Sequence, residues 1–243
     1  MRRFGGYLSA LPERFPVLLI NLLVLLIAPF AAYLSAYLPP GPHVHGPGLI
    51  DKFLCMDGLH YQNIALNGYG WQFADSAQPY SIAFFPLYPL TTTSLSYVFG
   101  TTSAWVFILP ALLFGLGSNA IFYLVAKQIL PEKSAVWATL FFAFWPACCF
   151  HFMGYPTGLG NLCALLSLYH YISGRMLRAT MWCGVGTAAA PALVFFAIGL
   201  CGYTGYQWLC DKFPLARVPE LFLFGLLSAS GLIGFIIFQQ IKF

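Results

Sequence analysis

Charged residues are scarce in this sequence of 243 residues. Only 7% of them are Asp, Glu, Lys or Arg, whereas a soluble globular domain has roughly 25%. Hydrophobic residues make up 60% of the chain and aromatic residues 18%. This composition excludes a water-soluble globular fold. Runs of about 18 or more apolar residues recur, each long enough to cross the hydrocarbon layer as a helix, and they predict an integral membrane protein.

Several functional signatures are also missing. The eleven Lys and Arg residues are dispersed and form no basic patch, so nucleic acid is not expected as a partner. The chain has no serine elbow and no glycine-rich loop that follows a strand and binds phosphate. Neither a metal nor a cofactor is expected. The seven cysteines have no framework spacing, and only Cys201 and Cys210, on either side of a predicted outer loop, are candidates for a disulfide.

The apolar runs predict an all-α polytopic membrane protein, with the whole chain 1–243 forming one domain. About six transmembrane helices are expected from the length and spacing of these runs. A long first extracytoplasmic loop, residues 39–103, separates the first two helices and is expected to contain interfacial helices. The predicted spans are 16–38, 104–126, 135–152, 158–173, 179–201 and 220–239.

The distribution of cations predicts the orientation. With a cytoplasmic N-terminus, the outer segments carry only Lys52, Lys212 and Arg217, and the remaining eight of the eleven cations lie inside, as the positive-inside rule requires. The compact loops favour a bacterial inner membrane over the endoplasmic reticulum. The eight inner cations are Arg2, Arg3, Arg14, Lys127, Lys133, Arg175, Arg178 and Lys242.

Two segments of the long loop combine polar and aromatic residues. The first is MDGLHYQNIALNGYG, residues 56–70, and the second is SIAFFPLYPL, residues 81–90. On a helix, His60 and Tyr61 share a face with Asp57 because they lie three and four residues further on. One interpretation is a carboxylate presented at the membrane surface. The other is that Asp57 caps the helix, with His60 and Tyr61 as ordinary interfacial residues.

The two segments resemble the first-loop signature of the GPI mannosyltransferase II family and its bacterial relatives. In that family Asp-Gly-x-His-Tyr-x-x-Ile-Ala-x-x-Gly-Tyr precedes Ala-Phe-Phe-Pro-x-Tyr-Pro, and residues 56–90 match this order. The resemblance implies a polytopic C-type glycosyltransferase. It further implies a polyprenyl-phosphate-linked sugar as donor, a lipid or glycan acceptor, contact with membrane lipid, and transfer of mannose or another hexose with inversion.

The resemblance implies a catalytic role for Asp57, and the chemistry of other residues in the outer segments suggests further candidates. Asp57 is the expected general base that takes the proton of the acceptor hydroxyl. His60, Tyr61 and Lys52 are expected to bind substrate beside it. Cationic side chains would receive the departing phosphate without a metal, and the candidates are Lys52, His60, Lys212 and Arg217. The aromatic residues that are candidates to line a groove for the isoprenoid or the sugar are Tyr69, Trp71, Phe84, Phe85 and Tyr88.

The sequence departs from the family pattern at several positions. Met56 stands where relatives have Trp, Gly158 where they have Glu, and Ala190 where they have Arg. Relatives also continue through further spans beyond the position of Phe243. These departures support a second hypothesis, in which the chain is a catalytically silent or truncated relative that acts as a structural or lipid-binding component beside a second membrane subunit.

Overall fold

The computed structural model describes residues 15–35, 50–54, 57–70, 81–210 and 218–242, and within them all regular structure is helical. This agrees with the predicted all-α class. Short 3₁₀ turns occupy Ile50–Phe53, Ser81–Ala83 and Pro146–His151. The α-helices are α1 Phe15–Ser35, α2 Asp57–Asn67, α3 Leu87–Phe99, α4 Ala104–Ile129, α5 Glu132–Ala143, α6 Thr157–Ile172, α7 Met176–Thr187, α8 Leu193–Cys210, α9 Val218–Ser228 and α10 Ser230–Lys242.

Among the described residues, α4 and α8 are long and apolar enough to cross a membrane. A third crossing results if Leu221–Ser228 and Ser230–Lys242, which are bent by 57° at their junction, count as one element. The described part of the chain therefore has two or three candidate membrane spans. The 12 residues of α5 and the 16 of α6 fall short of the roughly 20 that a crossing requires. The full set of about six spans stays a prediction.

One predicted span is interrupted. The sequence predicts a continuous helix over 179–201, whereas the structure ends α7 at Thr187 and begins α8 at Leu193. Pro191 lies in the break, and proline both lacks the backbone donor that a helix needs and clashes with the preceding turn. Because α8 then continues to Cys210, the two candidate cysteines lie nine residues apart on one helix. Their rise of about 13 Å exceeds the reach of a disulfide, and both are free thiols.

Small residues allow α4 and α6 to pack with their backbones close together. A Cβ atom added at Gly158 of α6 would lie 3.0 Å from the carbonyl oxygen of Ala111 and 3.1 Å from the amide nitrogen of Gly115. Ser118 strengthens the contact by donating a hydrogen bond of 3.1 Å to the carbonyl oxygen of Gly158. Without a hydrophobic force between helices in lipid, such close packing is a main source of helix association.

A second close crossing joins α7 to the bent α9–α10 pair. A Cβ atom on Gly231 would overlap the carbonyl oxygen of Gly184 and the backbone nitrogen of Ala188. Thr187 satisfies a backbone donor at the start of α10, because its hydroxyl oxygen accepts a hydrogen bond of 3.3 Å from the amide of Leu232. The break between α9 and α10 is therefore held against the end of α7.

The helices α2 and α3 lie over the end of α4 that begins at Ala104. The Tyr88 hydroxyl of α3 donates a hydrogen bond of 2.5 Å to the carbonyl oxygen of Phe107, in the first turn of α4. The Thr93 hydroxyl joins the two surface helices by donating to the carbonyl oxygen of Ala65, at 3.0 Å. These two helices form a layer, called the α2–α3 layer below, above one end of the helical bundle.

Candidate functional site

Asp57 is the first residue of α2 and is exposed. Its backbone N–H donates a hydrogen bond of 3.1 Å to the hydroxyl oxygen of Tyr155. The next residue, Gly58, is buried, and a Cβ atom there would lie 3.2 Å from the carbonyl oxygen of Gly154. The start of α2 is therefore anchored on the turn that precedes α6, and a larger residue at 58 would push it away.

The carboxylate of Asp57 accepts no hydrogen bond from any residue that the structure describes. The alternative in which Asp57 caps α2 through its side chain thus has no supporting contact in the described part of the chain. An exposed carboxylate keeps its oxygen lone pairs available to an incoming hydroxyl group, which is what a general base requires.

The aromatic residues of the second segment pack directly on α2. The rings of His60 and Phe84 stack with a centroid separation of 5.0 Å. Tyr61 meets Phe84 edge to face at 5.1 Å and Tyr88 at 5.5 Å. Edge-to-face pairs add about 0.5–1.5 kcal/mol beyond the burial of the rings. The structure thus brings five of the predicted site residues together, Asp57, His60, Tyr61, Phe84 and Tyr88.

Phe85 lies apart from this cluster. Its ring contacts Phe235 of α10 at 4.8 Å, on a different side of the chain from Phe84. Tyr88 is only 1% exposed and uses its hydroxyl to bind the backbone of α4. Phe84, Phe85 and Tyr88 are all buried and contact α2, α10 and α4 respectively. That they line a groove for the substrate stays a prediction.

Four other predicted residues have no described side chain. Lys52 belongs to the 3₁₀ turn Ile50–Phe53, and the neighbouring Phe53 carbonyl accepts a hydrogen bond of 2.8 Å from the amide of Gly154. This contact brings the backbone of the turn close to the start of α2. Trp71, Lys212 and Arg217 lie outside the described residues.

Burial and charge keep the Tyr61 phenol neutral. Loss of solvent around its hydroxyl raises the pKa of Tyr61 far above its usual value, and the negative charge of Asp57 and the nearby Tyr155 raise it further. At neutral pH the side chain is a hydrogen-bond donor close to the carboxylate. Tyr155 itself was not predicted as a site residue. The sequence feature that could have indicated it is the GYPT turn at residues 154–157, but only the fold shows that this turn contacts Asp57.

Positions 158 and 190, where the sequence departs from the pattern that it resembles, are helix contacts in this chain. Gly158 is enclosed by backbone atoms of α4, as described above, and by the carbonyl oxygen of His151 at 3.2 Å. The Cβ of Ala190 lies 3.4 Å from the position of a Cβ on Gly160. A glutamate at 158 has no space for its side chain in this packing. These positions therefore supply no charged group to the site.

An open apolar groove of about 690 Å³ adjoins the C-terminal half of α2. It begins at Ile64, about 10 Å along the helix from Asp57, and is bounded by α2, α3 and α10. In the described residues no group of three or more His, Cys, Asp or Glu side chains is arranged to hold a metal. The groove residues are Ile64, Ala65, Leu66, Gly68, Tyr69, Pro86, Pro89, Leu90, Thr93, Tyr97, Ser230, Gly231, Gly234, Phe235 and Phe238.

Comparison with protein-family models, curated proteins and solved structures gives no match to the chain.

Proposed function

We propose that the chain is a membrane glycosyltransferase that transfers mannose or another hexose from a polyprenyl-phosphate sugar to a lipid- or protein-linked acceptor, with inversion. Asp57 is its general base. The observation that carries the proposal is the carboxylate of Asp57, which is exposed and accepts no hydrogen bond from the described residues. The helix that bears it is held by Tyr155 at its first residue and by Phe84 against Tyr61.

The chemistry needs few groups. The Asp57 carboxylate takes the proton of the acceptor hydroxyl while the hydroxyl oxygen attacks the anomeric carbon from the face opposite to the phosphate. The bond between that carbon and the phosphate oxygen breaks, and the polyprenyl phosphate leaves with the bonding electron pair. His60 and Lys52 are the residues proposed to stabilise the departing charge. The neutral hydroxyls of Tyr61 and Tyr155 are proposed to orient the sugar.

The groove bounded by α2, α3 and α10 supports a lipid-linked donor. Its lining is mostly apolar, and an isoprenoid chain gains about 25 cal/mol for each Å² of apolar surface that it removes from water. Since the groove and Asp57 share α2, the helix fixes the distance between the lipid chain and the reacting carbon. A soluble nucleotide sugar would gain nothing from this surface.

The first experiment measures transfer of labelled mannose from mannosyl-phosphoundecaprenol to lipid acceptors in proteoliposomes. Asp57→Asn is expected to lower the rate by about 10²–10⁴-fold, the usual contribution of a general base. Glu132→Gln is the matched control, because Glu132 is likewise an exposed carboxylate at the first position of a helix, α5. Equal rates in Asp57→Asn and Glu132→Gln would contradict the proposal.

A second candidate function is a catalytically silent, lipid-binding component of a membrane complex. The observation that favours it is the enclosed position of Gly158, which leaves the site without the glutamate of the family. On this alternative, the wild-type protein binds mannosyl-phosphoundecaprenol in proteoliposomes but transfers no sugar, and Asp57→Asn changes neither result. Binding measured together with transfer therefore separates the two functions.

A further inference from the structure

Positive charge collects at one end of the helical bundle. Among the side chains that the structure describes, four cations and one carboxylate lie at the end of α4 and at the starts of α5 and α7, a net charge of +3. Three of the cations are exposed and Lys127 is half-buried. This region is called the basic end below, and its charged residues are Lys127, Glu132, Lys133, Arg175 and Arg178.

Contacts between helices bring the parts of the basic end together. The side-chain amide of Gln128 donates a long hydrogen bond of 3.5 Å to the hydroxyl oxygen of Ser173, which joins the end of α4 to the turn between α6 and α7. Ala126 of α4 and Ala135 of α5 belong to one buried cluster. Lys133, two residues before Ala135, therefore lies beside the same end of α4.

The length of α4 puts the basic end at a membrane surface. The helix has 26 residues and is about 39 Å long, whereas the hydrocarbon layer is roughly 30 Å thick. Lys127 belongs to its last turn, so in a membrane that α4 crosses the Lys127 ammonium group lies at the level of the lipid headgroups. Ala104, beneath the α2–α3 layer, is about 35 Å away along the helix. The basic end and Asp57 therefore lie at opposite surfaces of that membrane.

The two arginines of the basic end have no counter-charge in the described part of the chain. Neither Arg175 nor Arg178 makes an ion pair there, and the charges of both act on the imidazole of His170. Arg175 directly precedes α7 and Arg178 lies in its first turn, which contains no acidic residue. Cations at the N-terminus of a helix oppose its dipole. The fold thus concentrates positive charge here without neutralising it.

We propose that the basic end binds the headgroup of an acidic phospholipid from the adjacent leaflet. The guanidinium groups of Arg175 and Arg178 donate hydrogen bonds to the phosphate oxygens, a geometry that guanidinium matches better than ammonium does. Lys127 and Lys133 add attraction without a fixed geometry. A phospholipid fits better than a soluble anion because its phosphate already lies at the depth of these cations. Since Asp57 lies at the other surface, this binding is independent of sugar transfer.

The test measures lipid binding to the full chain in detergent by native mass spectrometry. The protein is titrated with phosphatidylglycerol, which is anionic, and with phosphatidylethanolamine of the same acyl chains, which has no net charge. The wild-type protein is expected to bind the anionic lipid about tenfold more tightly. Arg175→Gln and Arg178→Gln are each expected to weaken that binding about fivefold, which corresponds to about 1 kcal/mol for each cation near an anionic lipid. Binding of phosphatidylethanolamine is expected to stay unchanged.

Lys242→Gln is the matched control, because it removes an exposed cation at the other end of the bundle. The sequence places Lys242 with the inner cations, whereas in the structure its ammonium group lies over the ring of Phe238, which contacts Tyr69 beside the α2–α3 layer. Lys242→Gln is expected to bind phosphatidylglycerol as the wild type does. All three substituted side chains are exposed, so the variants are expected to unfold at the wild-type temperature.

A competition experiment separates a lipid from a soluble anion. Glycerophosphoglycerol, the same headgroup without acyl chains, is expected to leave the bound phosphatidylglycerol in place at equal concentration. Displacement by it would overturn the assignment to a lipid and indicate a site for a soluble phosphate ester. Equal affinity of the wild type for the two lipids, or equal loss of affinity in Arg175→Gln and Lys242→Gln, would overturn the proposal and leave these cations only a role in orienting the chain during insertion.

Discussion

The α2–α3 layer and the bundle beneath it are held together by different kinds of contact. In the layer, large rings and hydroxyl groups make the contacts, as when Tyr69 donates a hydrogen bond of 2.7 Å to the carbonyl oxygen of Phe84. In the bundle, glycines bring backbones together, and the Cβ positions at Gly158, Gly184 and Gly231 lie against main-chain atoms. Side chains make most of the contacts of the layer, whereas the closest helix crossings of the bundle lie where glycines have no side chain.

This difference determines which part of the fold has space for a reactive polar side chain. Side-chain contacts leave room for a charged residue at the edge of the layer, and Asp57 occupies such an edge. Contacts between backbones leave no room for a new polar side chain, so Gly158 cannot be exchanged for a glutamate without moving α4 or α6. Residues of a site in the layer can therefore be substituted without moving the helices of the bundle. A polar substitution at a glycine of the bundle would move those helices.

The largest effect is expected from Phe84→Ala in the layer. This ring contacts both His60 and Tyr61, and loss of a buried Phe costs about 3–5 kcal/mol. We expect a marked fall in the midpoint of thermal unfolding in detergent, together with loss of sugar transfer. Phe141→Ala, a change at a ring that is 74% exposed, is the control and is expected to unfold close to the wild type. A similar shift in both variants would show that Phe84 does not hold the layer.

Gly231→Ala tests the bundle. The added methyl group would overlap backbone atoms of Gly184 and Ala188, and such overpacking costs about 1–3 kcal/mol. Gly234→Ala, one turn further along α10, has no heavy atom within 4 Å of its added Cβ and is expected to unfold at or above the wild-type temperature. If the two alanine variants have the same unfolding midpoint, the close crossing of α7 and α10 is wrong.

The sequence predicts the layer better than the bundle, and the reason is physical. Asp57, His60 and Tyr61 follow a helical spacing that fixes their relative positions, and the aromatic residues that pack on them lie within the same loop. Phe84 and Phe85 were predicted alike because sequence does not show that consecutive residues here face different elements. Tyr155 was missed since its contact with Asp57 joins residues 98 positions apart.

The predicted membrane spans agree with the structure at α4 but not at α7 and α8. Hydropathy identifies α4 well because one apolar run forms one helix. It does not detect the break at residues 188–192, because the flanking residues are equally apolar. The break follows from Pro191 and from the packing of α7 on α10. It also assigns residues after Cys201 to a loop, whereas α8 extends to Cys210 because nothing in that stretch prevents a helix.

A smaller effect is expected from Tyr69→Phe. The change removes only the hydroxyl group that donates to the Phe84 carbonyl, and a partly buried hydrogen bond of this kind contributes about 1 kcal/mol. The unfolding midpoint is expected to fall slightly, with the aromatic contacts to Phe235 and Phe238 kept. Tyr97→Phe is the matched control, because Tyr97 belongs to the layer but is 84% exposed. A larger fall for Tyr97→Phe than for Tyr69→Phe would contradict this role.

The smallest effect concerns the ionisation of Tyr61. Burial and the nearby carboxylate raise its pKa in the folded protein, while in the unfolded chain the pKa is about 10. The folded state thus retains a proton that the unfolded state loses, so this contribution to stability is complete below pH 10 and declines as the pH rises above it. At pH 10.5 the loss from Tyr61 is less than about 1 kcal/mol by this linkage. Tyr61→Phe, compared with Tyr97→Phe, is expected to show a shallower fall of the unfolding midpoint between pH 9 and pH 10.5; parallel curves would place the phenol in water and remove it from the site.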